Sequence, residues 1–259
     1  MTKAERQRKI LDYLEEHGSI DIKSMCEMFE IVPMTARRDL TELEADQKLE
    51  RTHGGAILSE RQASRTDIAV PTWERMKIHS KEKMAIAGEA RRFVNEGEHI
   101  FVSAGTTAHF FARTLADANR LNVVTDAVNI TYELSAYPNV DLISLGGEVR
   151  HNALTMTGQL TERNLQNFSF DSAFIGVNAI DSAGDVLLSS VAESSILKTV
   201  ISRSKNVYIM ADSAKIGRKS FVYACSLGPG ITLITNEDAP KTCIEVYRKT
   251  GATIVLAKM

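Results

Sequence analysis

Apolar residues Ile10, Leu11 and Leu14 recur at helical spacing between Glu5 and His17, and Gly18 ends the run. Ile22, Met25, Cys26 and Phe29 form an i, i+3, i+4, i+7 set, which predicts a short second helix. A third helix is expected from Pro33, since proline at the first helical position forfeits no needed hydrogen bond; its buried stripe is Ala36, Leu40 and Leu43. Lys48 to Leu58 reads as two short strands around Gly54-Gly55. Three small helices and a hairpin predict a mainly α winged helix-turn-helix over residues 1–58, with the turn between Phe29 and Pro33.

Residues 59–79 are polar around Val70-Pro71 and hold no sustained period, which predicts a linker. From Ser80 the pattern changes to helical stretches alternating with short apolar runs. Strands are expected at His99–Val102, Asn122–Thr125, Val140–Leu145, Ala173–Val177, Val207–Ala211, Ile231–Thr235 and Thr253–Leu256. Helices are expected at Ser80–Val94, Thr106–Ala118 and Ala127–Tyr137. Such alternation predicts an α/β domain over residues 80–259, built on a mainly parallel sheet.

Composition narrows the class. The chain has 259 residues, 44% hydrophobic and 25% charged, which suits a water-soluble protein of two domains. No stretch nears the roughly 18 uninterrupted apolar residues of a membrane span, and the start MTKAERQRKI has no apolar signal core. Cys26, Cys225 and Cys243 are scattered singly, giving neither a disulfide framework nor a metal spacing. A cytoplasmic protein without a metal or cofactor is expected. The net charge is −2; residues 1–60 hold 9 Lys+Arg against 13 Asp+Glu, so any nucleic-acid contact must rest on local positive charge.

That local charge is visible on the third helix. With Ala36 pointing inward, steps of about 100° place Arg38 at about 200°, Met34 at about 160° and Thr41 at about 140°. Thr35 and Arg37 flank them. Arginine reads guanine bidentately, threonine bonds phosphate or meets a thymine methyl, and methionine adds apolar contact, so this face suits a major groove. Arg51, His53 and Gly54 on the wing are expected at the backbone or minor groove. The competing reading is that Arg37-Arg38-Asp39 is a solvated helix face balancing its acidic neighbours Glu42, Glu44 and Asp46.

In the second domain the stretch IFVSAGTTAHFFARTL, residues 100–115, is a strand, a glycine turn and a helix start. Amides after Gly105, with the Thr106 and Thr107 hydroxyls, form a cradle for an anion at a helix N-terminus. Thr125, Gly146-Gly147 and Asn178 lie at strand ends, where ligands of parallel sheets collect. Lys198 and Lys215 can supply charge for a phosphate.

MTARRDLTELEADQKLERTHGGA, Met34 to Ala56, closely resembles the signature of the DeoR family of bacterial transcriptional regulators, with matching spacing and no gap. Val32 stands where that family usually has a serine cap, and Ala36 replaces a larger aliphatic residue. The resemblance runs through nearly the whole chain. Gly105–Thr107, Val124-Thr125, Leu145 to Glu148, Phe174 to Gly176, Glu193 with Lys198, and Ala211 to Gly217 fall where the family's sensor domain has related residues. That domain resembles sugar-phosphate isomerases and binds a phosphorylated sugar or related metabolite. The resemblance therefore implies a repressor of a carbohydrate-related operon, partnered by double-stranded operator DNA, a small phosphorylated effector and further copies of itself, as a dimer or tetramer. Ser103 replaces the aspartate that opens the related D-x-G-T-T turn, and Asp126 and Asn236 replace an Asn and an Asp. An active isomerase using Glu193 and Lys198, and a constitutive DNA binder whose second domain only oligomerises, are the alternatives.

Overall fold

Ile10, Leu14, Ile20, Met25, Ala36, Leu40, Leu43, Leu49 and Ala56 close into one small core. The computed structural model describes residues 2–17, 19–46, 48–52, 54–57 and 71–258, and the chain divides into two units, Met1–Asp67 and Ile68–Met259. In the first, α1 (Lys3–His17), α2 (Ile22–Phe29) and α3 (Pro33–Ala45) pack with a sheet of β1 (Ser19–Asp21), β2 (Glu50–Arg51) and β3 (Gly55–Ile57) in the order β1-β3-β2. The helices and hairpin match the apolar pattern; β1 is additional, and only its pairing with β3 makes it a strand. Asp21 caps α2 by accepting from the Ser24 amide at 2.8 Å. Glu30, at φ 51°, ends α2 in the left-handed region and turns the chain toward α3. Gly55 is obligatory for close approach: a Cβ there would lie 2.0 Å from the Ile20 carbonyl oxygen of β1.

The second unit is centred on a seven-stranded sheet, all of its pairs parallel. Its strands are β4 (His99–Val102), β5 (Leu121–Thr125), β6 (Val140–Ser144), β9 (Phe170–Gly176), β12 (Ser204–Met210), β14 (Ile231–Asn236) and β15 (Thr253–Ala257), in the order β15-β14-β12-β9-β4-β5-β6. Successive side chains alternate between two cores. Ile100 and Val102 enter one, with α5 (Ser80–Arg91), α6 (Thr106–Arg113) and α7 (Val128–Leu134). Phe101 enters the other, with α9 (Val191–Ser202) and α10 (Lys241–Lys249). Phe111 of α6 stacks on Phe174 of β9 at 4.2 Å between ring centres.

Two small antiparallel units lie outside the apolar pattern. One is the hairpin β7 (Glu148–Arg150) and β8 (Thr155–Thr157), which precedes α8 (Gln159–Leu165); the other is the sheet β10 (Ala179–Ile180), β11 (Asp185–Leu188) and β13 (Val222–Ser226). The segment expected to be linker also differs. Residues 58–70 lie outside the described residues, but 71–79 are folded onto the second unit. They contain α4 (Thr72–Arg75), whose Thr72 amide and hydroxyl both donate to the Asn152 carbonyl, at 3.1 and 2.9 Å. The buried Lys83 ammonium closes the other end by donating to the Arg75 and Ile78 carbonyls at 2.7 and 2.6 Å.

Candidate DNA interface and anion cavity

On α3 the apolar stripe turns inward, while Met34, Arg37, Arg38 and Thr41 are exposed and Thr35 is half-buried. Two acids of α3, Asp39 and Glu42, are engaged by side chains of α1. Asp39, 1% exposed, pairs with the Arg6 guanidinium of α1 at 2.5 and 3.1 Å. Glu42 binds Lys3 at 2.5 Å and Gln7 at 2.9 Å, and reaches Arg38 at 3.4 Å. The last contact is an exposed i, i+4 pair, worth only about 0.3–0.5 kcal/mol, and leaves the Arg38 guanidinium available. Local positive charge on an acidic module thus has a structural source.

The wing is joined to this helix. Arg51 donates to the Thr41 hydroxyl at 3.0 Å, and that hydroxyl donates to the Arg37 carbonyl at 2.8 Å. Thr41 therefore positions Arg51 as much as it faces outward. The paired glycines have separate tasks: Gly55 is buried against β1, whereas Gly54 is exposed with open space around its Cα. His53 lies outside the described residues.

The cavity of the second unit follows from strand order. From β4 the chain proceeds to β5 and β6 toward one edge, and from β9 to β12, β14 and β15 toward the other. The loops after β4 and β9 therefore part, and a crevice opens between them at the carboxyl ends of the strands. Ser103 to Thr107 and Ile175 to Asn178 line it, with Arg75, Asp126, Glu193 and Lys215. Gly105 precedes α6 at φ 133°, and no side chain caps the amides of the helix's first turn.

Seven expected residues meet here: Ser103, Gly105, Thr106, Thr107, Asn178, Glu193 and Lys215. Their tasks differ. The Ser103 hydroxyl accepts from the Gly176 amide at 2.8 Å and donates to the Ala104 carbonyl at 3.1 Å, joining the ends of β4 and β9. Asn178 Oδ1 accepts from the Ser189 amide at 3.0 Å. Lys215 Nζ donates to the Val177 carbonyl at 2.7 Å, and Glu193 accepts from Arg150 at 2.6 Å. Thr107 is 2% exposed, and its hydroxyl has no hydrogen-bond partner among the described residues.

Four expected residues do not line the cavity. Thr125 is wholly buried, its hydroxyl donating to the Val102 carbonyl at 2.7 Å and accepting from the Ala127 amide at 3.1 Å; it shapes the loop after β5. Gly146 and Gly147 seat α8 instead. Thr161 donates to the Gly146 carbonyl at 2.7 Å, and a Cβ on Gly147 would fall 2.0 Å from the Thr161 hydroxyl oxygen. Lys198 lies five residues after Glu193 on α9, about 140° around the helix, and its ammonium is 5.7 Å from the centre of the Tyr223 ring. Glu193 and Lys198 thus do not converge as an acid–base pair. Asn236, another departure from the family pattern, accepts from the Ser213 amide at 2.7 Å and is architectural.

Asp126 and Arg75 are cavity residues that the sequence pattern did not single out as site residues. Burial pushes the Asp126 carboxyl up to about 7, with Glu193 adding to the rise and a 2.8 Å bond from the Ala104 amide opposing it. Its only signal in the sequence is its departure from the related asparagine. Arg75 arrives with α4, and Pro71 ahead of Thr72 to Arg75 is the helix-start signal available for it.

A helix-turn-helix unit whose third helix exposes arginines, followed in the chain by an α/β unit with a crevice at the carboxyl edge of its sheet, is the architecture of a DNA-binding regulator with a sensor domain. The chain belongs to the DeoR family: the DeoR-like helix-turn-helix domain matches residues 6–62 and the DeoR C-terminal sensor domain residues 78–237. It is 34% identical to the HTH-type transcriptional regulator YulB of Bacillus subtilis (strain 168), over 91% of this chain and 90% of that one. It is 33% identical to the lactose phosphotransferase system repressor of Lactococcus lactis subsp. lactis, over 95% and 96%. Ribose 5-phosphate isomerase A of Methanocaldococcus jannaschii aligns with a TM-score of 0.41 at 16% identity, over 53% of this chain and 55% of that one. No helix among the described residues is long and apolar enough to cross a membrane.

Proposed function

We propose that the chain represses a carbohydrate-related operon and is released from it by a phosphorylated sugar or related metabolite bound in the β4–β9 crevice. The observation that carries this reading is the open start of α6, where the buried Thr107 hydroxyl has no hydrogen-bond partner among the described residues and Lys215 and Arg75 supply positive charge. Backbone amides and a helix N-terminus favour a compact multivalent anion such as a phosphate monoester. Asp126 and Glu193 on the same lining suit the hydroxyls of a sugar. The relative that represses a lactose phosphotransferase system supports the carbohydrate context. The protein acts as a homo-oligomer, because one small winged module offers little affinity and paired half-sites multiply it. Ligand then favours one of two arrangements of the oligomer and shifts operator affinity by its differential binding.

A sensor is the better reading than an isomerase, since the Glu193 carboxylate is engaged by Arg150 and Lys198 stands over Tyr223. A panel of sugar phosphates, polyols and sugar acids, screened by thermal shift and for turnover, tests this. Stabilisation by a phosphorylated member without conversion is expected. Conversion would make the domain an enzyme, and silence across the panel would leave oligomerisation as its task.

A further inference from the structure

The residue that completes the cavity comes from α4, near the start of the second unit. Arg75 is the last residue of α4, shortly after the boundary at Asp67. One end of its guanidinium is held: Nη2 donates to the Thr72 hydroxyl at 3.1 Å. The Nε atom is buried and has no hydrogen-bond partner among the described residues. Thr107 on the same lining leaves a second polar atom, its hydroxyl oxygen, in the same condition. Two unrelated segments, α4 and α6, therefore each bring an unpartnered polar group to one crevice.

Buried polar groups are rarely left unpaired, and one reason for an exception is a partner that binds later. The geometry of α4 fits that reason. Thr72 is tied to Asn152, and the Arg75 carbonyl is tied to Lys83, so the backbone is fixed and the guanidinium is aimed by the fold. A planar guanidinium with a free Nε–H suits an oxyanion better than a point charge does.

We propose that Arg75 is a ligand-contacting residue of the sensor, its Nε–H donating to the same phosphate-type oxyanion that the α6 amides and Thr107 receive. This rests on the crevice being the anion site. Its consequence is that binding is felt directly by the segment that leads to the DNA-binding unit. No relay through the sheet is required. Arg75 is carried by α4, whose N-terminal end is continuous in sequence with residues 58–70.

The chain carries its own reporter, because its single tryptophan is Trp73, on α4 and 59% exposed. Inorganic phosphate at up to tens of millimolar, titrated into the full-length protein, is followed by Trp73 emission and by thermal shift. The wild type is expected to show a saturable emission change together with stabilisation. Arg75→Gln should weaken phosphate about tenfold or more and remove the emission change, with Arg75→Lys retaining part of the affinity. Thr107→Val reports on the crevice alone, since it leaves α4 intact. If Thr107→Val weakens phosphate while Arg75→Gln binds it like the wild type, the role of Arg75 is overturned and the anion site stands. Stabilisation of the wild type without any Trp73 response also overturns it. A wild type indifferent to phosphate by both readouts overturns the crevice and Arg75 together.

Discussion

The helices α3 and α6 both begin without a side-chain cap, and both starts face phosphate in this account, yet they are built differently. At α3 the capping position is Val32, and Pro33 removes one amide that would otherwise seek a partner. Val32 and Met34 are among the exposed large apolar residues, so the start of α3 is open to solvent. At α6 the capping position is Gly105, and Thr106 and Thr107 are 4% and 2% exposed. There water is scarce and an unmet donor is costly, about 1–3 kcal/mol for a buried group. In the proposed reading the first helix meets its partner with side chains and its uncapped end is incidental, whereas the second offers its end, enclosed by the crevice, as the site.

The strongest way to probe the enclosed start is through Asp126, which accepts from the neighbouring Ala104 amide. Its carboxyl sits at about 7 in the fold against 3.8 ordinarily, so between these values the folded chain holds a proton that the unfolded chain has lost. Stability from this group is therefore full below pH 3.8 and is lost as pH rises toward 7, by up to roughly 4 kcal/mol. Asp126→Asn keeps the acceptor oxygen and removes the charge. Urea unfolding should find the variant more stable than the wild type at about pH 8, with the gain vanishing near pH 4. Parallel pH profiles would show that Asp126 titrates normally.

A smaller effect is expected at the open start. Val32→Ser supplies the missing cap and should stabilise α3 by about 0.5–2 kcal/mol, read as slower amide hydrogen exchange in its first turn. Unchanged exchange would mean that Pro33 already sets that turn.

The same contrast explains what could be read from the chain. His99–Val102 was legible to the residue because a strand buried on both faces is a continuous apolar run. The strands β7, β8, β10, β11 and β13 were not, since each is too short for a local period to show and β13 also takes its register from β11, distant in sequence. In the site, Gly105 to Thr107 were legible because a strand, a glycine and a helix start are local features. Gly146-Gly147 looked equivalent, yet Thr161 occupies the space beside them. Arg75 was illegible for the opposite reason: α4 is placed by Asn152, 80 residues beyond Thr72 once the chain has folded. Asp39 resembled one more solvated acid until α1 brought Arg6 onto it.

Release from operator DNA by the effector is the deciding measurement. A duplex selected by the wild type from a random library, fluorescently labelled, is bound by the full-length protein and titrated with the phosphorylated sugar that stabilises it. A loss of affinity of about 5–150-fold, the usual range of allosteric coupling, is expected, with the sugar phosphate recovered unchanged. An affinity that does not move while the sensor domain is saturated, or a sugar phosphate returned as its isomer, would contradict the sensor reading.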